Sequence, residues 1–367
     1  MPHGYSHVVH VVPHLFGAHD AVYGGAERYA LELARHMAER VSTSLLTFGD
    51  NAREETVGQL SVHVMGNPHY VRNQKNNPFA WRLFPQLHRA DIVHCHQQHV
   101  FASSLAAIYC RISGRKVFAT DLGGGGWDIS SYISTDSWYH GHLHISQYSR
   151  MIAGHENNPR AHVILGGVDT QKFSAEPSIK HRDYVLFVGR LLPHKGIDNL
   201  IRAMPDDMEL QIIGQAYDQR YLDDLTRLAE GKRVIFRHDC GDSDLIEAYR
   251  GALCVVLPSV YRTMYGDQTS VPELLGQTLL EGMACEAPSI CTRVASMPEI
   301  VDDGVTGFIV PPNDPAALRE KICWLREHSA DAIAMGCRSR ARVLDMFTWP
   351  RVVDRCLAIY GLGTNAQ

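Results

Sequence analysis

Two glutamates, Glu273 and Glu281, stand with seven residues between them in the stretch SVPELLGQTLLEGMACEAPSI. The apolar run LCVVLP (Leu253–Pro258) upstream reads as a buried strand, and Ser289–Cys291 downstream as a second, shorter one. Gly276 falls where a helix would open between them. Glu273 then lies in the loop before that helix, and Glu281 one to two turns inside it. The N–H groups of Gln277, Thr278 and Leu279 would be unsatisfied donors of the first turn, and a helix end of this kind attracts anions. Carboxylates on either side suit a ligand with an anionic middle and hydroxyl-rich ends, as in a nucleotide-sugar. The plainer alternative is a solvated helix face that happens to carry two acids.

Cations stand at a second place. FVGRLLPHKGIDNLI (Phe187–Ile201) begins as a strand, and Arg190 and Lys195 follow it. A departing pyrophosphate gains negative charge, and an arginine fork with a lysine point charge suits that task. The alternative is a pair of surface cations at a helix start, where the helix dipole disfavours them. Gly24 and Gly25 occupy a loop-to-helix junction, where glycine lets backbone approach a ligand closely. The pair is not GxGxxG, so no dinucleotide fingerprint is present. His94-Cys95-His96 puts two imidazoles on one face of a strand end. No second ligand group has metal-site spacing, so no metal is expected.

These residues need two scaffolds. At 367 residues the chain is long for a single core. Its first half alternates strands (His7–Val12, Ser42–Phe48, Ser61–Met65, the run ending at His96, Lys116–Thr120, Leu143–Ser146, His162–Leu165) with helices, among them AERYALELARHMAER. A polar stretch from Gly166 to Asp183 interrupts the pattern, and a second α/β series then runs from YVLFVG to the tail helix Pro350–Tyr360. The expected architecture is two tandem Rossmann-like, doubly wound α/β domains facing a cleft. The expected divisions are residues 1–170, 171–345 and a C-terminal helix in 346–367 that crosses back to the first domain. The net charge of −5 argues against a dedicated nucleic-acid binder. No signal peptide or membrane-spanning run is expected. Nine cysteines, an odd number and mostly in apolar settings, point to a reducing cytoplasm.

Taken together, the segments resemble glycosyltransferase family 4 enzymes of the GT-B fold. The matching runs are GGAE at Gly24–Glu27, DIVHCH at Asp91–His96, GGVDTQKF at Gly166–Phe173 and FVGRLLPHKG at Phe187–Gly196. They continue with the E-x7-E stretch at Glu273–Glu281, EGMACEAPSICT at Glu281–Thr292 and MPEIVDDGVTGFIVPPND at Met297–Asp314. The resemblance implies a retaining hexosyltransferase that takes a sugar from a UDP- or GDP-sugar, with no cofactor and no metal. By this resemblance Arg190 and Lys195 hold the diphosphate, Glu281 the ribose hydroxyls and Glu273 the donor sugar, while N–H groups near Thr278 and Leu279 also meet phosphate.

Two departures stand out. Asp121 takes the place after KVFAT where relatives often carry a histidine. It is either a group that orients or deprotonates an acceptor hydroxyl, or the start of an Asx turn into the glycines Gly123–Gly126. The run Tyr261–Ser270 is longer than the family's shortest connection, and its tyrosines are candidates to stack on a sugar. The segment Tyr70–Arg89 mixes cations with Phe79, Trp81 and Phe84. Such a composition suits contact with the inner face of a membrane, against the alternative of an amphipathic helix packed on the first domain. The activity this implies is transfer to a glycan or lipid-linked acceptor in cell-surface polysaccharide assembly. The rivals are a GT-B nucleotide-sugar epimerase or hydrolase, and a catalytically inactive GT-B binding module.

Overall fold

The computed structural model describes residues 6–16, 22, 24–123, 129–176 and 183–362. It divides into two compact units, Met1–Gly167 with Trp349–Gln367, and Val168–Thr348.

The first unit contains β1 (His7–Val11), α1 (Gly25–Ala38), β2 (Ser42–Gly49), β3 (Arg53–Val57), β4 (Leu60–Gly66), β5 (His69–Tyr70) and β6 (Pro78–Phe79). It continues through α2 (Leu83–Arg89), β7 (Ile92–His96), α3 (Phe101–Ile112), β8 (Lys116–Thr120), β9 (Gly141–His144), α4 (Gln147–Ile152) and β10 (Ala161–Val163). Eight strands form one sheet in the order β10-β9-β8-β7-β1-β2-β4-β3, parallel except for the edge strand β3. Parallel strands covered on both faces are buried along their whole length, and β7 is buried at all five positions, its two histidines included. The edge strand β3 was not anticipated, although its partner β4 was: REETV alternates half-buried and exposed residues and carries three charges, which is how an edge strand resists further pairing.

The second unit begins with β11 (Tyr184–Val188), α5 (Ile197–Ala203), β12 (Glu209–Ile213), α6 (Gln219–Leu228), β13 (Arg233–Arg237), α7 (Asp242–Gly251) and β14 (Ala252–Leu257). It ends with α8 (Gln277–Ala284), β15 (Ser289–Thr292), α9 (Met297–Ile300), β16 (Gly307–Val310), α10 (Pro315–Glu327) and α11 (Ser329–Met346). Its six-stranded sheet has the order β13-β12-β11-β14-β15-β16, parallel at every pairing. Counted within the unit this is 3-2-1-4-5-6, the doubly wound order that reverses between its first and fourth strands. Local chemistry starts the helices. Asp218 accepts from the Tyr221 N–H at 3.1 Å at the head of α6, and Asp314 from the Ala317 N–H at 2.9 Å ahead of Pro315 in α10.

The last helix, α12 (Trp349–Tyr360), belongs to the first unit. Its Trp349 ring stacks on His36 with centroids 5.9 Å apart. Its Tyr360 hydroxyl lies 2.7 Å from His94 Nδ1, and the Lys116 ammonium donates to the Tyr360 carbonyl at 2.7 Å. The polar stretch after Gly166 is not simply spacer: Phe173 is buried, edge-on to Tyr249 with centroids 5.9 Å apart.

Candidate functional site at the switch point of the second sheet

The strand order reverses between β11 and β14, so the chain leaves these neighbours in opposite directions and opens a crevice beyond their carboxyl ends. Arg190 and Lys195 lie in the connection after β11, and Glu273 in the connection after β14. The two connections touch. The backbone of His194 is held by the Val260 N–H, which donates to its carbonyl at 2.8 Å. Gly196 sits at φ +66, and a Cβ there would lie 2.1 Å from the Pro258 carbonyl oxygen. Only glycine allows this left-handed turn and this close approach.

The turn Pro193–Lys195 carries Lys195 into contact with Glu273, Nζ to Oε2 at 2.5 Å. Their side chains are 12% and 15% exposed, so water screens the pair far less than a surface ion pair. The other oxygen of Glu273 accepts the Gly276 N–H at 3.3 Å, which ties the carboxylate to the residue that opens α8. Gly276 is itself left-handed, at φ +79. His194, next to Lys195, was not anticipated. Burial pushes its imidazole down to about 4, with Lys195 and Arg190 adding to the effect and Glu273 opposing it. It is therefore neutral at pH 7, beside the charged Lys195. Arg190 is exposed, its guanidinium 6.0 Å from the centroid of the Tyr217 ring.

The helix α8 starts one residue after Gly276, where the sequence places it. The Leu279 N–H does not face outward as expected; it donates to the Gly276 carbonyl at 3.0 Å, because the first turn tightens to i→i+3 spacing. Gln277 and Thr278 remain the residues at the head of the helix. Glu281 lies in the second turn and is 6% exposed. The Tyr249 hydroxyl, from α7, donates to its Oε2 at 2.7 Å. A buried carboxylate oriented by a buried tyrosine is a preset acceptor for hydroxyl groups. The structure thus joins Lys195 to Glu273 directly and sets Glu281 on the helix that Glu273 introduces.

The remaining expected residues lie in the first unit. Gly24 immediately precedes α1 and Gly25 is its first residue. A Cβ at Gly24 would meet Glu27 Oε2 at 2.8 Å, whereas one at Gly25 would meet nothing within 4 Å. Asp121 adopts the Asx-turn arrangement, its Oδ1 accepting the Gly123 N–H at 3.0 Å. Gln97, at an uncommon φ of +94, braces that turn: its amide oxygen accepts from the Leu122 N–H and its amide nitrogen donates to the Gly123 carbonyl, both at 3.4 Å. Residues 124–128, which hold three of the four glycines, lie outside the described residues.

In the run Tyr261–Ser270 the tyrosine hydroxyls have protein partners. Tyr261 accepts the Ala295 N–H at 2.9 Å, and Tyr265 donates to Asp224 at 2.5 Å beneath the Arg220 guanidinium. The segment Tyr70–Arg89 is not one amphipathic helix. It breaks into a two-stranded ribbon, a short 3-10 turn and the seven-residue α2, because Pro78 and the left-handed Arg72 and Asn73 interrupt any helix. Phe79 turns inward, while Trp81 is 77% exposed and stands edge-on to it.

His94 and His96 are fully buried within β7 and meet His10 of β1. His96 Nε2 is 2.8 Å from His10 Nδ1, and His94 Nε2 is 2.7 Å from the Thr120 hydroxyl. The strand face with two imidazoles gains a third from a neighbouring strand, and the three rings form a buried, hydrogen-bonded cluster with one ring nitrogen of each within 4.8 Å of the others.

The second unit is thus a doubly wound, Rossmann-like α/β unit with cations and carboxylates in the connections at its switch point. Comparison with known proteins agrees. Residues 169–342 match the family described as Glycosyl transferases group 1, and residues 23–172 match Glycosyltransferase Family 4. The chain belongs to the glycosyltransferases of this two-part type, with the GT-B fold. An uncharacterized glycosyltransferase of Methanocaldococcus jannaschii is 26% identical over 316 residues, covering 74% of this chain and 75% of that protein. The GDP-mannose-dependent alpha-(1-6)-phosphatidylinositol monomannoside mannosyltransferase of Mycolicibacterium smegmatis is 30% identical over 227 residues, 56% of this chain and 58% of that one. Among solved structures, Anabaena HepE in complex with UDP and glucose superposes with a TM-score of 0.74 at 18% identity, covering 97% of this chain and all of that one.

Proposed function

We propose that this glycosyltransferase moves a sugar, with retention of anomeric configuration, from a nucleoside-diphosphate sugar to a glycan or lipid-linked acceptor. The observation that carries the reading is the Lys195–Glu273 contact of 2.5 Å at the switch point, beside the head of α8. A ligand there meets a cation and a carboxylate in contact with each other beside a helix N-terminus. In the chemical step the bond from the anomeric carbon to the phosphate oxygen breaks, and charge accumulates on the diphosphate. Lys195 and Arg190 offset that charge, with the head of α8 adding its dipole. The acceptor oxygen forms its bond on the face the phosphate leaves. Its proton passes to the departing phosphate oxygen, so no separate base is required. Glu273 accepts hydroxyls of the donor sugar, and Glu281, oriented by Tyr249, accepts those of the ribose.

This assignment needs no divalent metal at the diphosphate, because protein cations already stand there. The donor is a UDP- or GDP-sugar. Relatives that differ in donor share the fold, so the base is selected by loop contacts outside the Glu273–Glu281 motif. The acceptor side falls to the first unit, where the Asp121 turn and exposed Trp81 suit a hydroxylated, membrane-borne acceptor in cell-surface polysaccharide assembly.

A thermal-shift panel of UDP-, GDP- and ADP-sugars tests the donor. A ligand at 100 times its Kd adds about 2.7 kcal/mol of stability. NMR of the product's anomeric proton tests retention. Donor turnover to free or isomerised sugar at the same rate with and without acceptor would make the chain a hydrolase or epimerase instead. A shift with a donor but no turnover of it, with or without acceptor, would make it a catalytically inactive binding module.

A further inference from the structure

Three groups converge on the first unit that no step above uses. Asp136 lies in a 3-10 turn, His142 in β9, and His155 just beyond α4. Asp136 Oδ1 is 3.3 Å from His155 Nε2 and 3.9 Å from His142 Nε2. One ligand atom from each residue lies within 4.8 Å of the other two. Zinc bonds to imidazole nitrogen and carboxylate oxygen at about 2.0–2.2 Å, so ligand atoms of a tetrahedral site sit about 3.3–3.5 Å apart. One edge of such a tetrahedron is therefore present already, and a small rotation of the His142 ring closes a second.

The surroundings are those of a supported ligand set. His144 Nε2 lies 3.0 Å from His155 Nδ1, which fixes that ring and leaves Nε2 facing Asp136. The Gln98 amide, from the end of β7, donates to Asp136 Oδ1 at 3.2 Å. Outer partners of this kind orient metal ligands. The two imidazoles are 2% and 6% exposed, while the Asp136 side chain is 38% exposed, so the cluster is rigid behind and open in front. The His10–His94–His96 group differs. Its nitrogens are engaged by one another, Met37, Thr120 and Tyr360, save His96 Nδ1, and no member reaches solvent.

We propose that Asp136, His142 and His155 bind a divalent transition metal, Zn²⁺ by ligand type, with the open side taken by water. Two imidazoles and one carboxylate favour zinc over the oxygen-seeking magnesium or calcium. The ion would fasten the long connection from Asp121 to His140 onto β9 and the loop after α4. It would thereby stiffen the segment whose start carries the Asp121 turn. The inference is independent of the donor site in the second unit.

The test uses the full chain, stripped with chelator and dialysed. Zn²⁺ is titrated by calorimetry, and metal content is read by mass spectrometry. Wild type should take up one tight equivalent and gain thermal stability with it. Asp136→Asn and His155→Gln should each weaken binding at least tenfold, and His144→Phe should weaken it about 10–100-fold by freeing the His155 ring. Wild type loaded with Co²⁺ should show visible d–d bands without a thiolate charge-transfer band. This last readout needs no variant to fold. Absence of stoichiometric Zn²⁺ uptake, a thiolate band, or unchanged affinity in a folded Asp136→Asn protein would each overturn the proposal.

Discussion

Replacing Glu281 separates a binding role from a structural one. Its carboxylate is almost fully buried in the second turn of α8 and accepts the Tyr249 hydroxyl at 2.7 Å. If it also accepts two ribose hydroxyls, Glu281→Ala removes two hydrogen bonds to a charged group. At the low end these contribute about 1.5 kcal/mol each, so the pair amounts to about two orders of magnitude in donor Kd. The fold loses the Tyr249 bond and some packing, about 1–3 kcal/mol. A domain of this size then loses about 2–4 °C of Tm per kcal/mol. Tyr249→Phe is the control. It deletes the same internal bond but keeps the carboxylate, so Tm should fall similarly while donor Kd rises less than about tenfold. The assay is calorimetric donor affinity with Tm measured on the same samples. A Glu281→Ala protein that is destabilised yet binds donor with wild-type Kd refutes the ribose role. So would a Tyr249→Phe protein whose affinity falls as far as that of Glu281→Ala.

Three further outcomes are expected. Asp121→Asn retains an oxygen for the Gly123 N–H and should keep kcat within about tenfold, whereas Asp121→Ala opens the turn and should lose more; equal losses beyond a thousandfold with donor affinity intact would make Asp121 a general base. Transfer should persist in EDTA if Lys195 and Arg190 offset the diphosphate charge as proposed; a loss restored by Mg²⁺ or Mn²⁺ contradicts this, whereas a loss restored only by Zn²⁺ and reproduced by Asp136→Asn belongs to the first unit. Stability should fall in acid. Burial holds His10 down to about 3, against an unfolded value near 6.5, with His94, His96 and Met37 packed against it. Between those values the unfolded chain binds the extra proton, so stability is full above about pH 6.5 and declines as pH falls towards about 3. A Tm that is flat from pH 7.5 to 5 would contradict this.

The sequence by itself determined most strands of the two sheets, because a parallel strand buried on two faces reads as a largely apolar run, unbroken in β14 and interrupted only by His94 and His96 in β7. It also located the head of α8, since Gly276 can take the left-handed conformation that opens it. The Glu273–Glu281 pair and the two cations were legible as residue types at fixed spacing along the chain. Edge strands such as β3 were not, because a charged, half-exposed strand has the composition of a loop. The contacts that give the site its chemistry were not legible either. Lys195 meets Glu273 across 78 positions of sequence, and Tyr249 reaches Glu281 across 32. The first meeting depends on β11 lying beside β14, a pairing set by the order of the whole sheet, and the second on α7 and α8 packing together on either side of β14 in the chain. The histidines show the same division. His94 and His96 share a face through the twofold period of a strand, which any reader of the sequence can see. That His10 completes their network, and that Asp136, His142 and His155 converge elsewhere, followed only when tertiary packing brought separate elements within hydrogen-bond distance.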